Sequence, residues 1–308
     1  DKPGSYTFNN INKEYISDLI SGYQFKRKIK VVVACGNGTA GIFAPEVLNM
    51  LGIEVIPLHC NLDASFPNYN PNPEDLKMLK DLGKHVLAHE ADIGFAFDGD
   101  GDRVGVVDNN GHEIFADKIG LLIARNLATE VSNSKFVIDV KSTSLFSTDE
   151  ILKKNNSEII FWKTGHSYIK RKTSDINATA GFERSGHFFF NNPIGRGYDD
   201  GILSALEILK ILDKNEKQTI SDLYNELTIT FSSPTMSPKC PEESKYKLVE
   251  KIEEVFQHKK QNNETVAGQK ILSILTVNGV RIHLEDGSWG LVRASSNSPN
   301  LVVVCEST

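Results

Sequence analysis

Three aspartates stand at alternate positions in Asp98-Gly99-Asp100-Gly101-Asp102, and Arg103 follows them. Side chains at i, i+2 and i+4 of an extended segment point the same way, so Asp98, Asp100 and Asp102 can converge. Three like charges that close repel unless a cation holds them. Hard oxygen donors suit Mg²⁺ or a similar divalent ion. Three carboxylates overcompensate one such ion only slightly, which leaves room for a phosphoryl oxygen in its shell. The run lies between Ile93–Phe97 and Val104–Val107, two short apolar stretches that read as buried strands. The carboxylates therefore stand at a strand end, where open α/β sheets place their ligands. An isolated Asp-Gly pair would read as a polar turn; strict alternation followed by arginine points instead to a metal. An EF-hand is excluded, because Arg103 stands where its loop needs glycine, Asn109 where it needs glutamate, and no helices flank the run.

Other strand ends also deliver polar groups. Phe136–Val140 leads into Lys141-Ser142-Thr143, Ile159–Trp162 into Lys163-Thr164-Gly165-His166, and Ala178–Gly181 into Glu183-Arg184-Ser185-Gly186-His187. Singly each has an ordinary reading: Lys141 a solvated lysine, His166 a loop histidine, Glu183 and Ser185 caps of the next turn. Near the end, Trp289–Pro299 reads as a polar loop between the last strands, in which Arg293, Ser295, Ser296 and Asn297 could surround a phosphate. An ordinary polar hairpin is the alternative.

The elements that must position these groups alternate. A helix over Tyr6–Gly22 precedes the strand Lys30–Ala34, the helix Ile42–Leu51, the strand Glu54–Leu58 and the helix Glu74–Glu90. Such alternation means a parallel α/β sheet. A second set runs from an extended piece and helix at Glu113–Leu127 to the strand Phe188–Phe190 and the helix Ile202–Leu212, which Asp199-Asp200-Gly201 opens with acidic residues that suit a helix dipole. Beyond it, breakers at Ser232-Ser233-Pro234 and Ser237-Pro238 mark a boundary. The helix Lys245–Gln257 and strands Ile271–Val277, Val280–Leu284 and Leu301–Val304, joined by Asn-Gly and Asp-Gly turns, follow. The fold expected is α/β: two consecutive α/β domains with mixed, mainly parallel sheets over residues 1–110 and 111–228, then a smaller α+β domain with an antiparallel sheet over 229–308.

The 308 residues exceed one typical domain, and 40% hydrophobic residues suffice for real cores. A net charge of −6 argues against nucleic acid as a partner, so an anionic substrate needs local cations. No apolar run approaches a membrane span and no signal peptide opens the chain. The four cysteines lie far apart with no Cys-x-x-Cys spacing, which reads as reduced thiols and a cytoplasmic protein. Gly36-Asn37-Gly38-Thr39-Ala40-Gly41 matches G-x-G-x-x-G between a strand and a helix, the pattern of an NAD(P) site. The acidic residue expected to end the second strand is absent, since Glu54 begins it and Asp63 lies past it. A close strand-to-helix turn is the competing reading.

The aspartate run resembles the metal-binding loop of the α-D-phosphohexomutases, which interconvert 1-phospho and 6-phospho sugars. Thr164-Gly165-His166 is similar to their Thr-Gly-His loop, and Glu183–His187 to their Glu-x-Ser-Gly-His sugar loop. Arg293-Ala-Ser295-Ser296-Asn297-Ser-Pro299 is similar to their phosphate loop, with Ser296 where the pattern has Asn and Asn297 where it has Thr. The family carries a similar Cys-Gly-Asn-Gly turn without a nucleotide and a similar Asp-Asp-Gly. The resemblance implies Mg²⁺ on Asp98, Asp100 and Asp102, with Arg103 as a second cation beside it. It implies that Glu183 and Ser185 bond sugar hydroxyls, with Thr164, Gly165 and His187 beside them, that Lys141 and His166 meet phosphate or sugar oxygens, and that Arg293, Ser295, Ser296 and Asn297 grip the phosphate not reacting.

The resemblance covers essentially the whole chain and corresponds to the family's second, third and fourth domains. The Ser-His-Asn-Pro-type loop of the first domain, whose serine carries the phosphoryl group, has no counterpart here. Thr308 falls just past a strand where the family has a closing helix. The expectation is an excised fragment or a shortened homologue, without turnover by itself. Its expected ligands are hexose phosphates and a bisphosphate sugar intermediate, and its partner the phosphoserine domain. Ser-Gly-His and Arg-Ala-Ser lean toward phosphomannomutase/phosphoglucomutase. Phosphoglucosamine mutase, a non-catalytic sugar-phosphate binding protein and an NAD(P) oxidoreductase are the rival readings.

Overall fold

A computed structural model describes residues 4–308, which divide into two compact units: residues up to 113 with 201–220, and 114–200 with 221–308. In the first unit, α1 (Asn12–Ser21), β1 (Lys30–Ala34), α2 (Ala40–Met50), β2 (Glu54–Leu58), α3 (Leu76–His89), β3 (Ile93–Phe97), β4 (Val104–Val107) and the two-residue β5 (Glu113–Ile114) follow one another. The sheet order is β2-β1-β3-β4-β5, with β1 parallel to β2 and β3 and with β4 antiparallel to β3. Val31 to Ala34 and Ile93 to Phe97 are wholly buried, as continuous apolar strands of a covered sheet should be. The helix Gly201–Lys214 returns to this unit and packs on β4.

The helix expected over Tyr6–Gly22 is shorter. It starts at Asn12, whose N–H is taken by the Asn10 side chain at 3.0 Å, and Tyr6, Phe8 and Ile11 stay exposed in irregular chain. Asn side chains compete in this way with helix extension. Asp75 likewise sets the start of α3, accepting from the N–H groups of Lys77 and Met78 at 2.7 and 3.3 Å. Pro45 lies inside α2.

The second unit holds α4 (Ala116–Glu130), β6 (Lys135–Asp139), α5 (Leu145–Thr148), α6 (Glu150–Lys154), β7 (Glu158–Trp162), α7 (His166–Asp175), β8 (Ala180–Phe182) and β9 (Phe188–Phe190). The sheet order is β7-β6-β8-β9, parallel except for β9. After α8 (the Gly201–Lys214 helix) come α9 (Ile220–Asn225), β10 (Phe231–Ser232), α10 (Lys245–Gln261), β11 (Thr265–Val266), β12 (Gln269–Leu275), β13 (Val280–Leu284), β14 (Trp289–Ala294) and β15 (Leu301–Ser307). They form an antiparallel sheet in the order β10-β15-β14-β13-β12-β11. The expected class, two α/β sheets followed by an antiparallel one, is the class observed.

Trp289–Pro299 is not one loop. Its first six residues are β14, in the interior of the antiparallel sheet, and only the turn after Ala294 is irregular. Arg293 is thus fixed on a strand paired on both sides.

Buried charges join the two sheets of this unit. Lys118 on α4 meets Glu306 on β15 at 2.8 Å, and Thr143 and Trp289 both donate to Glu306 at 2.8 Å. Burial works to raise the Glu306 carboxyl, but Lys118, Trp289 and Thr143 outweigh it and hold it at about 2. Among the described residues no helix is long and apolar enough to cross a membrane.

Candidate functional site

In the first unit the carboxylates of Asp98, Asp100 and Asp102 converge, with one oxygen of each within 4.8 Å of the others. Asp98 is buried, Asp102 half-buried and Asp100 exposed. The loop is held by its own backbone: Asp98 Oδ1 accepts from the N–H groups of Gly101 and Arg103, both at 3.1 Å. Arg103 Nε donates to Asp98 Oδ2 at 2.6 Å, and one of its terminal nitrogens donates to Asn72 at 3.2 Å. Neighbouring segments fix the turn. The Gly99 carbonyl accepts from the Thr39 N–H at 2.9 Å, and the Gly101 carbonyl from the Gly201 N–H at 3.0 Å. An all-oxygen cluster of three carboxylates, one facing solvent, fits a hard divalent cation. Each carboxylate oxygen has more than one lone-pair direction, so the bonds made by Asp98 do not preclude a metal.

The Gly36–Gly41 turn backs this loop. A Cβ on Gly38 would stand 2.8 Å from the Gly99 carbonyl oxygen, and one on Gly36 2.7 Å from the Pro71 side chain. Those glycine faces are filled by protein, so the turn offers no cradle for a pyrophosphate, and the glycines have a packing reason.

In the second unit the loops after the parallel strands β6, β7 and β8 lie at the same sheet edge. Gly165 N–H donates to Glu183 Oε1 at 2.9 Å, and Thr164 N–H to Asn278, in the turn between β12 and β13, at 3.2 Å. The Thr164 hydroxyl reaches Asp139 at 3.4 Å, and Ser142 donates to the same buried carboxyl. Burial, and secondarily Asp139, push Glu183 up to about 7, against the pull of Lys141 and His187. Burial lowers the Arg293 guanidinium, while Asp139 and Glu183 work to raise it. Glu183, Lys141, Asp139 and Arg293 thus form one electrostatic locus.

His166 and His187 stack with ring centroids 5.5 Å apart, and both turn a nitrogen toward Asp199, at 3.7 and 2.9 Å. Burial opposes ionisation of Asp199, but His187 and Lys170 prevail and bring it to about 2. Ser295 and Ser298 share a hydrogen bond of 2.9 Å, while Ser296 and Asn297 are exposed at the turn tip.

Among the described residues, Glu183 Oε2, Ser185 Oγ and Arg293 Nε are buried atoms with no hydrogen-bond partner. Leaving such groups unpaired costs about 1–3 kcal/mol each. They lie on two strand ends of different sheets, and together they ask for a ligand bearing both hydroxyls and an anion.

Several supporting residues escape sequence reasoning. Lys245, fully buried, donates to the Ser295 and Ser298 carbonyls at 2.6 and 3.2 Å and so shapes the turn after β14. Arg184 and Arg281 donate to the carbonyls of Lys141 and of its neighbours Val140 and Ser142. Arg281 and His283 alternate with Val280, Ile282 and Leu284, a pattern that reads as an outward polar face, so the sequence carries no signal for the burial of Arg281.

Three successive family models match the chain. They are described as phosphoglucomutase/phosphomannomutase alpha/beta/alpha domain II over residues 13–111, alpha/beta/alpha domain III over 115–231, and C-terminal domain over 238–308. The chain belongs to the phosphoglucomutase/phosphomannomutase family. A phosphomannomutase/phosphoglucomutase of Pseudomonas aeruginosa is 37% identical over 300 residues, which is 97% of this chain and 61% of that protein. A phosphoglucomutase of Neisseria meningitidis is 35% identical over 303 residues, 98% of this chain and 63% of that one. The crystal structure of a family protein from Burkholderia thailandensis superposes with a TM-score of 0.87 at 31% identity, covering 99% of this chain and 62% of its own. The chain therefore spans about three-fifths of the length of these family members.

Proposed function

We propose that this chain is the metal-, sugar- and phosphate-binding part of a phosphohexomutase of the phosphomannomutase/phosphoglucomutase type. The reaction interconverts hexose 1-phosphate and hexose 6-phosphate through a bisphosphate sugar. A serine of the family's first domain, to which none of the matched models corresponds, carries the phosphoryl group. Phosphorylated sugars do not cross membranes unaided, so the reading places the protein in the cytoplasm. The observation that carries it is the set of unpaired buried groups, Glu183 Oε2, Ser185 Oγ and Arg293 Nε, at strand ends of one unit.

In this reading Arg293 grips the phosphate not reacting, because a guanidinium presents two N–H groups to one anion. Ser295, Ser296 and Asn297 add neutral donors around it. Glu183 and Ser185 read ring hydroxyls, with Thr164, Gly165 and His187 shaping the wall. A misplaced hydroxyl leaves a buried carboxylate unpaired, which makes Glu183 a reader of ring stereochemistry. Lys141 and His166 meet phosphate or ring oxygens, and Arg103 adds positive charge beside the aspartates. Asp98, Asp100 and Asp102 would hold Mg²⁺, which supplies charge neutralisation for the moving phosphoryl group.

The decisive experiment supplies a phosphorylated first domain to the chain and follows mannose and glucose 1-phosphate. Conversion to the 6-phosphates is expected, and binding without conversion would make the chain a sugar-phosphate binding protein instead. In calorimetric titrations of the chain, Arg293→Ala is expected to weaken both sugar phosphates by about ten-fold or more, the loss of a charged hydrogen bond. Unchanged affinity for both would remove Arg293 from the site.

The metal assignment has its own test. Asp100→Ala is expected to weaken Mn²⁺ binding at least ten-fold or so, since one of three charged ligands is lost. Asp100 is exposed and anchors nothing, so the variant should fold. Equal Mn²⁺ affinity in both proteins would show that the cluster is a polar turn.

A further inference from the structure

Cys35 and Cys60 are 25 residues apart in sequence, yet their sulfurs stand 3.5 Å apart and share a hydrogen bond. Cys35 follows the last residue of β1 and Cys60 lies just past β2; these strands are parallel neighbours. Cys35 is fully buried and Cys60 half-buried. We infer that Cys35 and Cys60 form a reversible dithiol–disulfide couple, a modification site whose state is transmitted to the aspartate loop.

Geometry carries the couple. A disulfide requires an S–S distance near 2.05 Å, so closure needs a movement of roughly 1.5 Å. Cys60 sits in the irregular segment after β2 and can supply it. Its thiol is the natural attacker: it is the more accessible, and its hydrogen bond with Cys35 lowers it from the usual thiol range. The same bond, with burial, raises Cys35. With hydrogen peroxide as oxidant, the Cys60 thiolate attacks one peroxide oxygen. The O–O bond breaks and the leaving hydroxide takes a proton, giving a sulfenic acid and water. The Cys35 sulfur then attacks the Cys60 sulfur, the S–O bond breaks, and the second hydroxide leaves as water with the Cys35 proton. Two thiols are oxidised, one peroxide becomes two waters, and an external dithiol reverses the change.

The link to the aspartates is backbone. Asn37 N–H donates to the His59 carbonyl at 2.7 Å and the Asn37 side chain to the Asn61 carbonyl at 2.7 Å, so Asn37 grips the chain on both sides of Cys60. Two residues on, Thr39 N–H and hydroxyl hold the Gly99 carbonyl at 2.9 and 3.2 Å. Gly38 has no Cβ to spare against Gly99. A shift of Cys60 is therefore passed through Asn37 to the peptide between Asp98 and Asp100. This second half rests on the reading of those aspartates as metal ligands.

The experiment oxidises the purified chain with hydrogen peroxide, blocks free thiols and maps peptides without reduction. The expected product links Cys35 to Cys60 and disappears with dithiothreitol, while Cys240 and Cys305 stay unlinked to either. In Cys35→Ser, Cys60 should stop at the sulfenic acid and be trapped by dimedone. Absence of the linked peptide, with both thiols still free to alkylate, overturns the couple. The oxidised chain, freed of oxidant, should bind Mn²⁺ severalfold more weakly than the reduced chain. Equal affinity overturns the transmission. Reduced chain that binds Mn²⁺ no better than Asp100→Ala overturns the metal reading instead, and the peptide map still decides the couple.

Discussion

Replacing Glu183 with glutamine is expected to make the protein more stable at pH 8 and worse at holding a sugar. Burial moves the Glu183 carboxyl from 4.5 in the unfolded chain to about 7 in the fold. Between those values the folded state binds a proton that the unfolded state has released. Stability from this group is therefore complete below pH 4.5 and lost as pH rises through 7. The lost amount is about 3 kcal/mol, since each pH unit between the two values is worth about 1.36 kcal/mol. Glutamine carries no charge, keeps an oxygen for the Gly165 N–H and escapes the penalty. A second group runs the other way. Burial, then Arg281, lower His283 from 6.5 to about 4, so the unfolded chain binds the extra proton and stability rises with pH between 4 and 6.5. The two slopes offset each other in the wild type. Urea titrations from pH 4.5 to 8, followed by the fluorescence of Trp162 and Trp289, should show a flatter wild-type profile and a rising one in Glu183→Gln. Parallel profiles would mean that Glu183 is not held protonated by its surroundings. In sugar binding the amide presents a donor where hydroxyls need an acceptor, so glucose and mannose phosphates should weaken unequally.

The same residue shows what the sequence could and could not disclose. Strand ends were legible because continuous apolar runs such as Val31–Ala34 and Ile93–Phe97 stop abruptly at glycine and charge, and a parallel sheet buries both faces of its strands. That rule located Asp98, Lys141, Thr164 and Glu183 on strand ends from composition alone. It failed at Trp289–Ala294, where only alternate residues are buried and the apolar signal thins toward Arg293. It failed also for α5, α6, α9, β10 and β11, which are too short for any period to repeat. A charged side chain is usually exposed. Asp139, Lys118, Lys245, Arg281 and Glu306 are instead buried. Lys118 and Glu306 pair across 188 residues, and Arg281 reaches the Val140 and Ser142 carbonyls from 141 and 139 residues away; no local pattern encodes such pairings. The groups that would touch a ligand were thus more legible than those that hold them in place.

Arg281→Met should be among the most destabilising single changes in the second unit. Arg281 is completely buried, its guanidinium 3.7 Å from the centre of the Trp289 ring and 4.5 Å from that of Phe161. One terminal nitrogen donates to the carbonyls of Val140 and Ser142 at 2.8 and 2.7 Å, and Nε donates to His283 at 3.1 Å. Burial lowers this guanidinium to about 9, with Glu306, Asp139 and Asp117 working to raise it, so it stays charged at neutral pH. Methionine fills much of the volume but leaves two buried carbonyls unpaired and removes the cation that faces those carboxylates. Removing one partner from a buried charged network costs about 3–5 kcal/mol. For a unit of this size that corresponds to a fall in Tm of roughly 10 °C. Arg281→Lys should recover only part of it, because an ammonium is not a plane that stacks between two rings. The loss should also be local in a particular way. The two carbonyls flank Lys141, so hydrogen exchange should quicken at Ser142 and Thr143 before it does at Val137 in the middle of β6. A Tm change worth under about 1 kcal/mol, the scale of a single ordinary hydrogen bond, would show that Trp289 and Phe161 hold this junction without the guanidinium. Unaltered exchange at Ser142 and Thr143 would show that Arg281 does not position the loop of Lys141.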